Sequence, residues 1–118
     1  MSIKNYFRGL DYFSQPQELE DLTPDKLLSL KDKYALIDVR TGFEYRHGHI
    51  KGAIHYKLGE EDIIEKKFPK EEPIILICKT GHRSRAAANR LVRRGYKKLY
   101  HLEGGMNKWR KEKLPEEK

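Results

Sequence analysis

Ile74-Ile75-Leu76-Ile77 is the most hydrophobic run in this chain, and Cys78-Lys79-Thr80-Gly81-His82-Arg83-Ser84 follows it directly. Pro73 precedes the run and a polar loop ends it, so it is too short for a buried helix and reads as a central strand. Past the loop, residues 84–94 place Ala87, Ala88, Leu91 and Val92 on one apolar stripe, with Gly95 as a stop. That spacing predicts a helix. A fully apolar strand leading through a short loop into an amphipathic helix is half of a parallel β-α-β unit.

The flanking sequence repeats the alternation. Thr23 before Pro24 and Asp25 predicts an N-cap with proline at the first helical position, and a helix through Leu27, Leu28 and Leu30 to about residue 33. Residues 35–39 form a second short apolar run, ending at Asp38-Val39-Arg40. Residues 43–46 suggest a helical turn, and Gly48 and Gly52 bracket a loop. Residues 60–68 begin with acids and end with lysines, as the helix dipole favours. Residues 98–102 read as a further strand, and Gly104-Gly105 turns into a last helix containing Trp109, expected in the core. These elements predict an α/β fold of three layers, a parallel sheet covered by helices on both faces. Ligands of such sheets bind beyond the carboxyl ends of the strands. Asp38 with Arg40, and the loop opening at Cys78, both fall there.

The 118 residues suffice for one compact domain. Charged residues make up 36% and mean hydropathy is −0.86, which describes a heavily charged surface over a core of a few short runs. No stretch approaches the ~20 apolar residues of a membrane span, and the N-terminus lacks a signal-peptide pattern. A cytoplasmic location without membrane association is the resulting expectation. The net charge of +7 raises the question of nucleic acid. The basic residues are scattered rather than grouped in a reader motif, so no nucleic-acid partner is expected. Residues 1–17 read as an N-terminal extension to a domain of residues 18–118. The extension carries Tyr6, Phe7, Tyr12 and Phe13, with Gly9 and Pro16 as helix breakers. These aromatics either pack back on the domain or meet a partner.

The single cysteine excludes an intrachain disulfide and a cysteine-based zinc site. His47, His55 and His101 have no metal-ligand spacing, and no metal or other cofactor is expected. A lone cysteine after an apolar strand is most often packing. The residues that follow Cys78 change that reading. A loop confined between strand and helix turns backbone N–H groups inward as an anion nest, and Gly81 permits the required conformation. The helix contributes its positive end, and Lys79, His82 and Arg83 surround the rim with cations. A thiol at the mouth of such a nest is favoured as thiolate, the nucleophilic form.

Three ordered motifs resemble the rhodanese family over roughly residues 18–110. Leu36-Ile37-Asp38-Val39-Arg40, Glu44-Tyr45 and residues 48–53 resemble its first signature. Cys78-x-x-Gly81-x-Arg83-Ser84, then Ala87-Ala88, Leu91 and Gly95-Tyr96, resemble its active-site loop and helix. Leu102-x-Gly104-Gly105 with Trp109 resembles its C-terminal signature. The resemblance implies a five-stranded, mostly parallel sheet and a thiosulfate sulfurtransferase. Cys78 is then the nucleophile and Lys79, Thr80, Gly81, His82 and Arg83 the substrate cradle. Asp38, Arg40 and Ser84 stand as support behind it. Arg83 either points at the substrate or forms a structural pair beneath the loop. His82 is either a rim cation in mildly acid solution or a solvated loop residue. His49 and Gly52 are expected to shape a loop rather than catalyse.

The span from Cys78 to Arg83 is six residues. That length resembles the sulfurtransferases, whereas related phosphatases and arsenate reductases have one residue more. The implied reaction is double displacement. Cys78 takes the outer sulfur of a small anionic donor such as thiosulfate, and cyanide or a thiol, free or on an acceptor protein, takes it from the persulfide. Sulfite leaves without a general acid and a preformed thiolate needs no base, so no triad partner is expected. The alternatives are an oxyanion enzyme of the same fold and a non-catalytic interaction module.

Overall fold

The computed structural model describes residues 9–118, so Tyr6 and Phe7 lie outside the described residues. After a 3-10 turn at Gly9–Tyr12, the elements are β1 (Leu19–Leu22), α1 (Pro24–Leu30), β2 (Ala35–Asp38), α2 (Gly42–Arg46) and β3 (Ile54–His55). Then come α3 (Glu61–Lys67), β4 (Ile74–Ile77), α4 (His82–Arg93), β5 (Leu99–Leu102) and α5 (Gly105–Lys111). The five strands form one sheet in the order β1-β5-β4-β2-β3, and every pairing in it is parallel.

β4 lies in the middle of this order, and all four of its residues are buried because both faces are covered. Ile74 and Leu76 pack on one face with Ile64 of α3 and Ala87, Ala88 and Leu91 of α4. Ile75 and Ile77 pack on the other with Leu27 of α1 and Met106 and Trp109 of α5. Each such side chain is worth about 1.5–3 kcal/mol relative to exposure, so this strand anchors the fold. Trp109 is buried as expected, and its indole N–H donates to the Pro115 carbonyl at 2.9 Å.

Local signals set the helix starts. Thr23 accepts the Lys26 N–H in front of Pro24. Thr41 and Glu44 form a reciprocal capping box on α2. α1 stops at Leu30, short of the expected residue 33, and a turn leads into β2. α4 begins at His82, two residues earlier than the apolar stripe indicates, because Gly81 occupies the N-cap. β1 and β3 carry no apolar run of their own and were not separately legible. The 3-10 turn lies along α4: buried Asp11 pairs with Arg93 at 2.8 Å, and Asn89 donates to the Asp11 and Ser14 carbonyls. Phe13 is exposed and edge-on to His82. Among the described residues no helix is long and apolar enough to cross a membrane.

Candidate active site

Cys78 follows β4 and continues its alternation onto the α4 face, with Ile74 and Leu76. The side chain is only 1% exposed. The thiol therefore lies at the floor of the loop and not at its mouth, because the pleat turns residue 78 under α4. The Gly81 N–H donates to Sγ at 2.9 Å. Gly81 has φ of 112°, a left-handed conformation that aims this N–H back at the sulfur and turns the chain into α4. No side chain caps α4 there, so its first-turn N–H groups, which have no intrahelical acceptor, end at the loop. Lys79, Thr80 and His82 are exposed around the rim, and Thr80 Oγ1 lies 3.1 Å from His82 Nδ1.

The turn after β5 clasps this loop from behind. The Met106 N–H donates to the Cys78 carbonyl at 2.8 Å and the Asn107 N–H to the Lys79 carbonyl at 3.1 Å. Such close approach requires glycine: a Cβ on Gly105 would collide with the Lys79 carbonyl and the Cys78 oxygen, and its φ is 59°. The Gly104-Gly105 pair thus belongs to the site although it lies remote from Cys78 in sequence.

Arg83 takes the structural course of the two left open. Its guanidinium forks onto Glu44, Nη1 to Oε1 at 2.6 Å and Nη2 to Oε2 at 2.9 Å. Glu44 also accepts from the Thr41 N–H and hydroxyl. The Arg83 hydrogen bonds hold the Glu44 carboxyl down at about 2, against the opposing effect of burial. The pair straps the start of α4 to the start of α2. With this guanidinium facing Glu44, Lys79 is the exposed cation beside the nucleophile.

Asp38 and Arg40 form a second, fully buried pair. Arg40 Nε and Nη2 donate to both Asp38 carboxylate oxygens at 2.8–3.1 Å, and Nη2 also donates to the Gly48 carbonyl at 2.8 Å. The Arg40 carbonyl meets His55 Nε2 at 2.6 Å. These contacts tie the end of β2 to β3 and to the loop after α2. His49 Nδ1 lies 2.8 Å from the Tyr45 carbonyl and braces the same loop.

Ser84 brings in two residues that sequence reasoning left unassigned. The Cys78 thiol donates to Ser84 Oγ at 3.4 Å. Ser84 Oγ lies 2.7 Å from His101 Nδ1 and 2.9 Å from the Gly81 carbonyl. His101 Nε2 lies 2.6 Å from Asp21 Oδ1. His101 is itself buried inside β5, between Tyr100 and buried Leu102, and a histidine in so apolar a strand was the available signal. Asp21 gave none: it reaches His101 only because β1 pairs with β5 in the register Asp21↔His101.

Residues 23–112 match the rhodanese-like domain family. The chain is 30% identical over 94 residues to thiosulfate sulfurtransferase GlpE of Coxiella burnetii, covering 80% of this chain and 87% of that protein. It is 33% identical over 98 residues to the uncharacterized protein YqhL of Bacillus subtilis, covering 83% and 78%. The polysulfide-sulfur transferase of Wolinella succinogenes superimposes with a TM-score of 0.72 at 31% identity, over 98% of this chain and 90% of that one. With the parallel sheet, the cysteine loop and the double-glycine clasp in place, the chain belongs to the rhodanese-like domain family.

Proposed function

We propose that this protein is a sulfurtransferase that carries sulfane sulfur as a persulfide on Cys78. The observation that carries the reading is the Gly81 N–H directed at Cys78 Sγ, in a loop that opens the 12-residue helix α4. A backbone donor on the sulfur and a helix start beside it favour anionic sulfur, thiolate and persulfide alike. The sulfurtransferase and polysulfide-sulfur transferase relatives support the reaction class. The six-residue span from Cys78 to Arg83 supports a terminal sulfur over a tetrahedral oxyanion as the occupant.

In the first half-reaction the Cys78 thiolate attacks the outer sulfur of thiosulfate. The S–S bond to sulfite breaks and sulfite departs with the electron pair, leaving the Cys78 persulfide anion. In the second, cyanide or a thiolate, free or on an acceptor protein, takes the terminal sulfur and regenerates the Cys78 thiolate. Lys79 at the rim attracts the dianionic donor, and the cradle of residues 79–83 holds the persulfide. A reducing, cytosolic setting suits a nucleophile that must stay a free thiol.

Mass spectrometry of the intact protein tests the reading. After thiosulfate the protein should gain one sulfur atom, and cyanide should remove it as thiocyanate. No added sulfur, together with Cys78-dependent hydrolysis of aryl phosphates, would move the assignment to an oxyanion enzyme.

A further inference from the structure

Four side chains form an unbroken hydrogen-bonded line: Cys78 Sγ, Ser84 Oγ, His101 and Asp21. Ser84 and His101 are 1% and 2% exposed, whereas the Asp21 side chain is 52% exposed. The line therefore runs from a buried sulfur beside the central strand to solvent at the β1 edge of the sheet. Each member comes from a different element: the residue after β4, then α4, β5 and β1.

We propose that Ser84, His101 and Asp21 act as a proton relay that takes the Cys78 proton onto His101 and returns it after sulfur release. The inference rests on the reading of Cys78 as the sulfur carrier. Hydrogen-bond valence gives the line a direction it can take. The Asp21 carboxylate only accepts, so His101 Nε2 carries a proton toward it. Nδ1 of the neutral ring is then a lone pair that needs a donor, and the Ser84 hydroxyl lies 2.7 Å away. The single Ser84 hydroxyl proton has two acceptors in reach, the Gly81 carbonyl at 2.9 Å and Nδ1 at 2.7 Å; turned to Nδ1, it leaves Oγ free to accept the Cys78 S–H.

The groups facing His101 agree with this resting state. Burial pushes the ring below the ordinary histidine range, and Arg85 of α4 adds to that. Asp21 of β1 and Glu103 after β5 pull the other way without prevailing. Burial works to raise the Asp21 carboxyl, but hydrogen bonds from Gln15 and His101 and the charge of Arg85 help hold it below its usual range. At neutral pH the ring is thus a neutral base, protonated at Nε2 alone, beside an ionised carboxylate.

In the transfer the S–H bond of Cys78 breaks and a new O–H bond forms on Ser84. The original Ser84 O–H bond breaks and an N–H bond forms at His101 Nδ1. Cys78 is left as thiolate and His101 as imidazolium, with the quartet's total charge unchanged. The Ser84 hydroxyl then points at the thiolate, and Nδ1–H donates to Ser84. The same steps in reverse reprotonate Cys78. Ser84 is a catalytic residue in this scheme because it touches the reacting sulfur; His101 and Asp21 are positioning residues.

The test uses the chain's only thiol. The rate of Cys78 alkylation by iodoacetamide against pH, followed by intact mass, reads thiolate formation without any sulfur donor. His101→Asn keeps a hydrogen-bonding group near Nδ1 but cannot take a proton, and Ser84→Ala cuts the line. Both should move the alkylation midpoint up by about one pH unit, since an opposite charge a few ångströms away shifts a thiol by that order. Ser84→Thr, which restores the hydroxyl, should return it to the wild-type position. Sulfur transfer from thiosulfate by His101→Asn should fall about tenfold at acid pH and converge with wild type at alkaline pH. A structural role alone would lower rates equally at every pH. The relay is overturned if folded His101→Asn and Ser84→Ala, checked by thermal unfolding, give alkylation profiles that superimpose on wild type. Persulfide formation in the wild type with superimposed profiles rejects the relay alone. Shifted profiles without persulfide formation reject the sulfur-transfer reading and leave the relay to another Cys78 chemistry.

Discussion

β2 and β4 lie side by side, and their carboxyl ends use opposite devices. β2 ends in a closed pair: Asp38 and Arg40, at most 1% exposed, satisfy each other and the Gly48 carbonyl. β4 ends in an open arrangement, where the Gly81 N–H and the start of α4 converge on Cys78. Two buried charges that neutralise each other are committed to holding loops in place. A backbone donor on one sulfur, with a helix start beside it, stabilises the charge that sulfur acquires. The first strand end is scaffold for the second.

The contrast can be broken from either side. The largest effect is expected from Cys78→Ser: complete loss of persulfide formation and of thiocyanate production, with the far-ultraviolet spectrum and melting temperature close to wild type. Asp38→Ala should do the reverse. It leaves the Arg40 guanidinium buried without its carboxylate, at a cost of about 3–5 kcal/mol in denaturant unfolding, while the folded fraction still alkylates at Cys78.

Glu44→Gln sharpens the comparison with a pair that is about a quarter exposed. Its cost should be nearer 1 kcal/mol at neutral pH. The Glu44 carboxyl is lowered from 4.5 to about 2 in the folded chain. The pair's contribution is therefore fully present above the unfolded value and lost as pH falls from 4.5 toward 2. Unfolding of wild type and Glu44→Gln across that window should converge at the acid end.

The smallest effect belongs to the rim. Lys79→Glu should raise KM for thiosulfate several-fold and leave kcat nearly unchanged, because an exposed charge contributes uniform binding. A neutral persulfide donor should respond less. Added salt should shrink the difference, with screening beyond ~8 Å at physiological ionic strength. Equal slowing of both donors at all salt concentrations would show Lys79 to be ordinary solvated surface.

What could be read from the chain alone was whatever is encoded within one turn of helix or one strand. The run Ile74–Ile77 is apolar at every position and so had to be buried on both faces. Thr23 and Thr41 sit where a helix start needs an acceptor. Cys78 and Gly81 are three residues apart, close enough for a turn to bring one onto the other. The parallel sheet, the cysteine loop and the family resemblance all follow from such local patterns. Only the tertiary structure decided the partners. Arg83 meets Glu44 across 39 residues, and Asp21 meets His101 across 80. β1 and β3 became strands because a neighbour offered hydrogen bonds, not because their own sequences demanded it. A polar side chain carries no mark of which distant partner will satisfy it; sheet order and register settle that, once burial of the apolar strands has fixed where each one lies.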